Sequence, residues 1–138
     1  MRGYLLDTHI LIWLLSKDEC LNKNLREEIE YFQYPYFVSV ESLREIVILW
    51  FQKKIEIRLD TAISYLQRFQ ITILPIDAGH VKELEKLPIL TINGDRHLDP
   101  FDRMLIAQSI TEKYTIISSD RKFPFYRNHG LKLLANEI

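Results

Sequence analysis

Two acids three residues apart, Asp99 and Asp102, open a strongly apolar stretch in the segment His97-Leu98-Asp99-Pro100-Phe101-Asp102-Arg103. Asp99 is a residue type suited to a helix N-cap. Pro100 suits the first helical position, because the N–H it lacks would have had no partner there. Asp102 then falls in the first turn, and residues at i and i+3 share a face with Cβ atoms roughly 5 to 6 Å apart. Both carboxylates project from one helix end, which makes a candidate cation site. The same spacing suits plain capping, with Asp99 accepting backbone N–H bonds and Asp102 complementing the helix dipole. The other acids bear on that choice. Asp7 ends the apolar run that begins at Gly3, Asp120 ends the run from Tyr114, and Glu45 sits among Leu43, Ile46, Val47 and Ile48. A carboxylate in such apolar company needs a partner to offset its desolvation. Ser42 and Glu45 also match a capping box, and Glu41, one turn earlier, competes for the same role.

The elements that must position these acids follow from periodicity and punctuation. Residues 3 to 7 read as a short buried parallel strand, and Thr8 can cap a helix over 9 to 15 that is apolar on nearly every side. Leu21, Leu25, Ile29 and Phe32 mark an amphipathic second helix, stopped by Pro35. Tyr36 to Val38 form a second strand. Ser39 or Ser42 starts a helix reaching about Lys54, with Leu43, Ile46, Val47 and Trp50 on its core face. Asp60 caps a helix carrying Ile63, Leu66 and Phe69; residues 71 to 76 are a third strand; Asp77 caps a helix running to about Leu87. Asn93-Gly94-Asp95 is a turn. A helix over 99 to 113, a fourth strand over 114 to 119 and a fifth over 131 to 135 complete the chain. This alternation predicts an α/β protein, a three-layer α/β/α sandwich with a parallel sheet of four to five strands. Ligands of such sheets lie beyond the carboxyl ends of the strands, where Asp7 and Asp120 are placed to converge.

The 138 residues fit a single domain, 1–138, and the 47% hydrophobic and 27% charged composition is that of an ordinary globular protein. With 18 basic against 19 acidic side chains, a nucleic-acid partner has to be held locally rather than by overall charge. The one cysteine, Cys20, cannot form an internal disulfide, and the four histidines show no zinc-ligand spacing, so a reducing cytoplasm is the expected compartment. Arg2 and the apolar residues up to Leu15 mimic a short signal peptide, but Asp7 and His9 interrupt the run. No stretch approaches the ~18 apolar residues of a membrane span.

Four blocks together, LLDTHILIWLL, SVESLREIVILW, HLDPFDRMLIAQS and TIISSD, resemble the PIN domain, specifically the VapC-type toxins of toxin–antitoxin pairs. The match runs in the right order over almost the whole chain; residues 55 to 95 carry no motif. The resemblance implies a single PIN domain whose acids hold Mg²⁺ or Mn²⁺ for endoribonucleolytic cleavage of RNA, with a cognate antitoxin as partner and a homodimer as the usual assembly. Asp7, Glu45 and Asp102 match its core acids, Asp120 the more variable fourth, and Asp99 an additional acid. It also implies that Asp102 joins the acids at the sheet edge.

Physical chemistry runs parallel to the resemblance. Carboxylates about 4 Å apart repel by roughly 4 kcal/mol per pair at an effective dielectric of 20, so such a cluster calls for a cation. Oxygen-only ligands favour Mg²⁺ or Mn²⁺ over zinc. Asp7, Asp102 and Asp120 are candidate ligands, Glu45 a ligand or an orienter of the attacking water, and Asp99 a supporting residue. Thr8 and Ser119 could hold these carboxylates through their hydroxyls, although Thr8 serves equally as a helix cap. Arg103 and Arg121 either clamp phosphate or neutralise the cluster. His9 and His97 read as core or capping residues. Lys53-Lys54 and Arg121-Lys122 could face RNA or be solvated surface. Three other readings are available. A signalling receiver would want paired acids after the first strand, an aspartyl-nucleophile phosphatase would want a second Asp two residues after Asp7, and a non-cleaving PIN-like module would not need all four acids.

Overall fold

The computed structural model describes residues 3–137; Arg2 lies outside them. Five parallel strands form the central sheet: β1 (Tyr4–Leu6), β2 (Tyr36–Ser39), β3 (Thr72–Leu74), β6 (Thr115–Ser118) and β7 (Lys132–Ala135). Their spatial order is β3-β2-β1-β6-β7. Two further strands, β4 (Thr91–Ile92) and β5 (Asp95–Arg96), form a separate antiparallel hairpin. Asn93 and Gly94 turn this hairpin with φ of 53° and 86°, the left-handed conformations a tight hairpin turn requires.

Strand alternation divides the interior into two cores, because successive side chains point to opposite faces. Leu6, Val38 and Ile117 face a layer made of α1 (Thr8–Ser16), α2 (Lys23–Glu30), α3 (Val40–Phe51) and α4 (Leu59–Arg68). Leu5 and Ile116 face the other layer, built from α5 (Ala78–Lys86), α6 (Pro100–Glu112) and a 3₁₀ segment, Phe123–His129. This is the α/β/α sandwich that the alternation of elements predicts, with five strands in the sheet.

Several local expectations are corrected. Thr8 does not cap α1; Asp7 does, accepting the Ile10 N–H at 2.9 Å. Phe32 lies beyond α2, at φ 57° and 50% exposed, because the helix ends at Glu30 and Tyr31 closes it. Of the two serines offered for α3, Ser39 is the cap, accepting the Glu41 N–H at 3.0 Å. Ser42 therefore lies inside the helix, so the capping box with Glu45 does not form, and α3 closes at Phe51 rather than Lys54. Asp60 sits in the first turn of α4 behind an uncapped Arg58. The turn expected at Asn93-Gly94-Asp95 is the turn of the hairpin, whereas its two-residue strands are too short to show periodicity, and the seven-residue 3₁₀ segment has no counterpart in the sequence pattern.

Candidate functional site

The two central strands deliver the first acids. β1 and β6 pair with Leu6 opposite Ile117, and the Asp7 N–H continues the ladder to the Ile117 carbonyl at 3.1 Å. Asp7 thus leaves the sheet beside Ser118, and Asp120 follows two residues later. Glu45 comes from the second turn of α3, which starts at the same carboxyl edge where β2 ends. Asp102 comes from α6, which runs antiparallel to the strand it feeds, so its N-terminus stands at that edge as well. Asp99 caps α6, its Oδ1 accepting from the N–H groups of Phe101 (2.9 Å) and Asp102 (3.0 Å). Asp7, Glu45, Asp99, Asp102 and Asp120 line one cleft of about 330 Å³, walled by Thr8, His9, Trp13, Ser119 and Lys122.

The charges in this cleft are in each other's way. Burial is the largest influence on Asp102, and the carboxylates of Asp99, Asp120, Asp7 and Glu45 add to it, pushing its pKa up to about 8. Asp7 is pushed up to about 6 by burial, against the opposing pull of the Ser118 hydroxyl, the Ile10 N–H and His9. Burial likewise raises Glu45, with the Thr8 hydroxyl opposing and Asp99 and Glu41 adding to the rise. A protein that holds several desolvated acids together in this way has built an environment for a cation.

Hydrogen bonds fix the individual carboxylates. Asp120 Oδ1 accepts the Lys122 N–H at 2.8 Å, and the Asp120 N–H donates to Ser118 Oγ at 2.9 Å. Asp102 Oδ2 meets His97 Nε2 at 3.0 Å, and His97 Nδ1 meets the Tyr126 hydroxyl at 2.7 Å. His97 is 4% exposed and Tyr126 fully buried. Sequence reading placed His97 in the core or at a cap; its contact with Asp102, five positions away, depends on the turn between β5 and α6. Ser118 and Tyr126 were also missed, since a serine before a serine and a tyrosine in an irregular segment carry no spacing signal.

The other predicted accessory residues are engaged as follows. Thr8 bonds Ser42 Oγ at 2.9 Å and stands beside Glu45. The Ser119 hydroxyl is tied to Asn136, accepting from Nδ2 at 2.7 Å, rather than to an acid. Arg103 donates to the Leu87 and Pro88 carbonyls at 2.8 and 3.0 Å and is not part of the cleft lining. Glu41 binds Arg44 at 2.9 Å, which takes it out of competition with Glu45.

A second acidic grouping, Asp77, His80 and Glu112, brings its ligand atoms within 4.8 Å of one another, the one such trio among the described residues. It lies elsewhere, where α5 packs on α6, and its groups already satisfy each other. His80 Nδ1 accepts the Asp77 N–H at 3.0 Å, Nε2 donates to Glu112 at 2.7 Å, and the Asp77 carboxylate accepts the His80 N–H at 3.1 Å. Both ring nitrogens are used, so the trio reads as a capping box locked to the neighbouring helix. The cleft acids stand in a more open arrangement around a shared volume. With oxygen donors only, they suit a hard cation such as Mg²⁺ or Mn²⁺ that keeps several waters of its own.

Solved structures resemble this chain over nearly all of its length. The VapBC2 complex of Rickettsia felis bound to a DNA fragment from its promoter contains a chain with TM-score 0.71 at 19% identity, covering 98% of this chain and 99% of that one. The DNA-bound VapBC of Salmonella typhimurium gives TM-score 0.71 at 15% identity, with 98% of both chains covered. VapBC-1 of nontypeable Haemophilus influenzae gives 0.67 at 15%, covering 96% and 97%. No curated protein matches in sequence. The PIN domain family matches residues 4–128, so that the strand-end acids, the α6 acids and four of the five strands of the sheet, β1, β2, β3 and β6, fall within the match: this chain belongs to the PIN domain family.

Proposed function

We propose that this protein is a divalent-metal-dependent endoribonuclease of the VapC type, the toxin of a toxin–antitoxin pair, with the whole chain acting as one PIN domain. The observation that carries the reading is the meeting of Asp7, Glu45, Asp102 and Asp120, from four separate elements, around one cleft in which burial and mutual repulsion hold Asp7, Glu45 and Asp102 above the usual carboxylate range. The likeness to chains of VapBC complexes supports an antitoxin as the protein partner.

A Mg²⁺ or Mn²⁺ ion held by Asp7, Asp102 and Asp120 would supply a water of lowered pKa and neutralise the scissile phosphate. Everything else falls to the chain. Asp7 and Asp102 give up their protons to become ligands, so binding is favoured as pH rises. Glu45, set back on α3 and raised in pKa, is suited to orient the attacking water and accept its proton. Lys122 faces the cleft as a cation for the phosphodiester, and Trp13 offers a flat wall for an unstacked base. Single-stranded loops are the expected substrate, since splayed bases reach such a cleft and a duplex does not.

Incubating the purified protein with structured RNA and Mn²⁺ tests the reading. Cleavage should leave 5′-phosphate and 3′-hydroxyl ends and stop in EDTA. A 2′,3′-cyclic phosphate, or cutting undiminished by EDTA, would exclude the mechanism. The homodimer that the family resemblance implies should appear in light scattering at micromolar concentration as twice the chain mass. Phe51, 73% exposed beside Trp50, is among the apolar side chains an assembly would cover.

A further inference from the structure

We infer that His97, held by Tyr126, is a positioning residue that fixes which oxygen Asp102 presents to the cleft. This deepens the metal-dependent reading above and rests on it. Asp102 ionised to hold a cation can only accept, so in that state His97 Nε2 carries the hydrogen donated to Oδ2 across 3.0 Å. The Nδ1 of the neutral ring is then the acceptor for the Tyr126 O–H at 2.7 Å. The ring cannot turn without breaking both bonds. Its backbone is pinned as well, the His97 N–H donating to the Leu90 carbonyl at 2.8 Å. Tyr126 is anchored among Phe123, Leu105, Ile106 and Leu131 in the second core. With Oδ2 engaged by the imidazole, Oδ1 is the oxygen left for a cation.

The arrangement ties together two segments that each carry an acid. Tyr126 belongs to the 3₁₀ segment that follows Asp120, and His97 to the turn that leads into α6 and Asp102. A rigid core thereby sets the separation of two acids whose own repulsion would drive them apart. Supporting hydrogen bonds of this kind typically change metal affinity by about 10- to 100-fold when removed.

The test is Mn²⁺ titration by calorimetry on the wild-type chain and on His97→Gln, His97→Asn, Tyr126→Phe and Asp102→Asn, each checked for folding by circular dichroism. Glutamine places an amide N–H close to the position of Nε2 and keeps the bond to Asp102; asparagine falls short of it. The expected result is about 10- to 100-fold weaker Mn²⁺ binding in His97→Asn, and a smaller loss in His97→Gln and in Tyr126→Phe, each of which keeps a donor to Asp102 and gives up only the Tyr126 bond. A folded His97→Asn that binds like the wild type overturns the inference, as does a His97→Gln no better than His97→Asn, which would reduce the histidine to packing. Should His97→Asn not fold, Tyr126→Phe decides, and unchanged affinity there counts against the inference. Wild-type protein that takes up no Mn²⁺, or Asp102→Asn that takes it up unchanged, overturns the metal-dependent reading itself and this inference with it.

Discussion

The Asp7 N–H reaches the Ile117 carbonyl at 3.1 Å, extending the pairing of the two central strands by one residue beyond Leu6. That single backbone bond holds Asp7 in the sheet while its side chain caps α1 through the Ile10 N–H. The residue is therefore structural and chemical at once: its backbone belongs to a rigid ladder, and its carboxylate accepts from the Ile10 N–H and from the Ser118 hydroxyl while it lines the cleft. A site built on such supports is pre-organised and pays little reorganisation on binding.

Replacing Asp7 or Asp102 by asparagine should abolish RNA cleavage while leaving the fold intact. An amide keeps the shape and, at Asp7, the capping acceptor, but it lacks the charge that holds a metal. Cleavage rates beside melting curves separate the two effects. If both variants cut at the wild-type rate, these acids are caps and nothing more.

Metal-free protein should lose stability as pH rises from about 4 to about 8. An unfolded Asp titrates near 3.9, whereas Asp7 and Asp102 in the fold titrate at about 6 and about 8, so the native state binds the extra protons across that window. The stabilisation is complete below pH 4 and is lost as pH passes through each folded pKa. Asp102→Asn should flatten the curve between pH 6 and 8. Melting temperatures in EDTA that rise over this range would contradict the crowding of charge in the cleft.

Saturating Mn²⁺ should reverse that loss. At ~100 times its dissociation constant, an ion that binds only the folded chain adds roughly 2.7 kcal/mol. At one fixed Mn²⁺ concentration the gain should be larger at pH 8 than at pH 6, because fewer protons have to leave. The absence of a thermal shift at saturating Mn²⁺ would rule out the cleft as a metal site, and Asp102→Asn should shrink the shift.

His80→Ala should behave in the opposite manner, lowering stability without touching metal uptake. Removing the ring strips the Asp77 N–H and the Glu112 carboxylate of partners, a loss on the order of 1 to 3 kcal/mol. Mn²⁺ affinity and RNA cleavage should stay at wild-type values. Weakened Mn²⁺ binding in this variant would move the metal centre to the junction of α5 and α6.

How much of this was legible beforehand can be argued residue by residue. The sheet was, because buried parallel strands are short apolar runs between helical periods, and residues 36 to 38, 115 to 118 and 132 to 135 fall within such runs. Asp99 as cap of α6 was legible too, since Asp-Pro before an apolar stretch has a local cause. Glu45 was not separable from a capping residue, as the pattern Ser42-x-x-Glu45 fits both. The structure decides by starting α3 at Ser39, a choice set by where β2 ends and not by the four residues of the pattern.

The chain by itself determined the kinds of element, their order and the acids at strand and helix ends, since each of these follows from neighbours within a few residues. Tertiary structure alone decided that those acids share one cleft. Asp7 and Asp120 meet because strands far apart in sequence pair side by side, and Asp102 joins them because α6 runs back along the sheet and begins at its carboxyl edge. It also decided the partners that make them unusual. The pKa of Asp102 depends on Asp99, three residues away, but also on its burial and on the carboxylates of Asp120, Asp7 and Glu45, which no local pattern encodes. His97 faces Asp102, and Tyr126 faces His97, only because an irregular segment after Asp120 folds back beneath the start of α6. Spacing along a chain fixes what a helix or strand presents; long-range packing fixes what it is presented to.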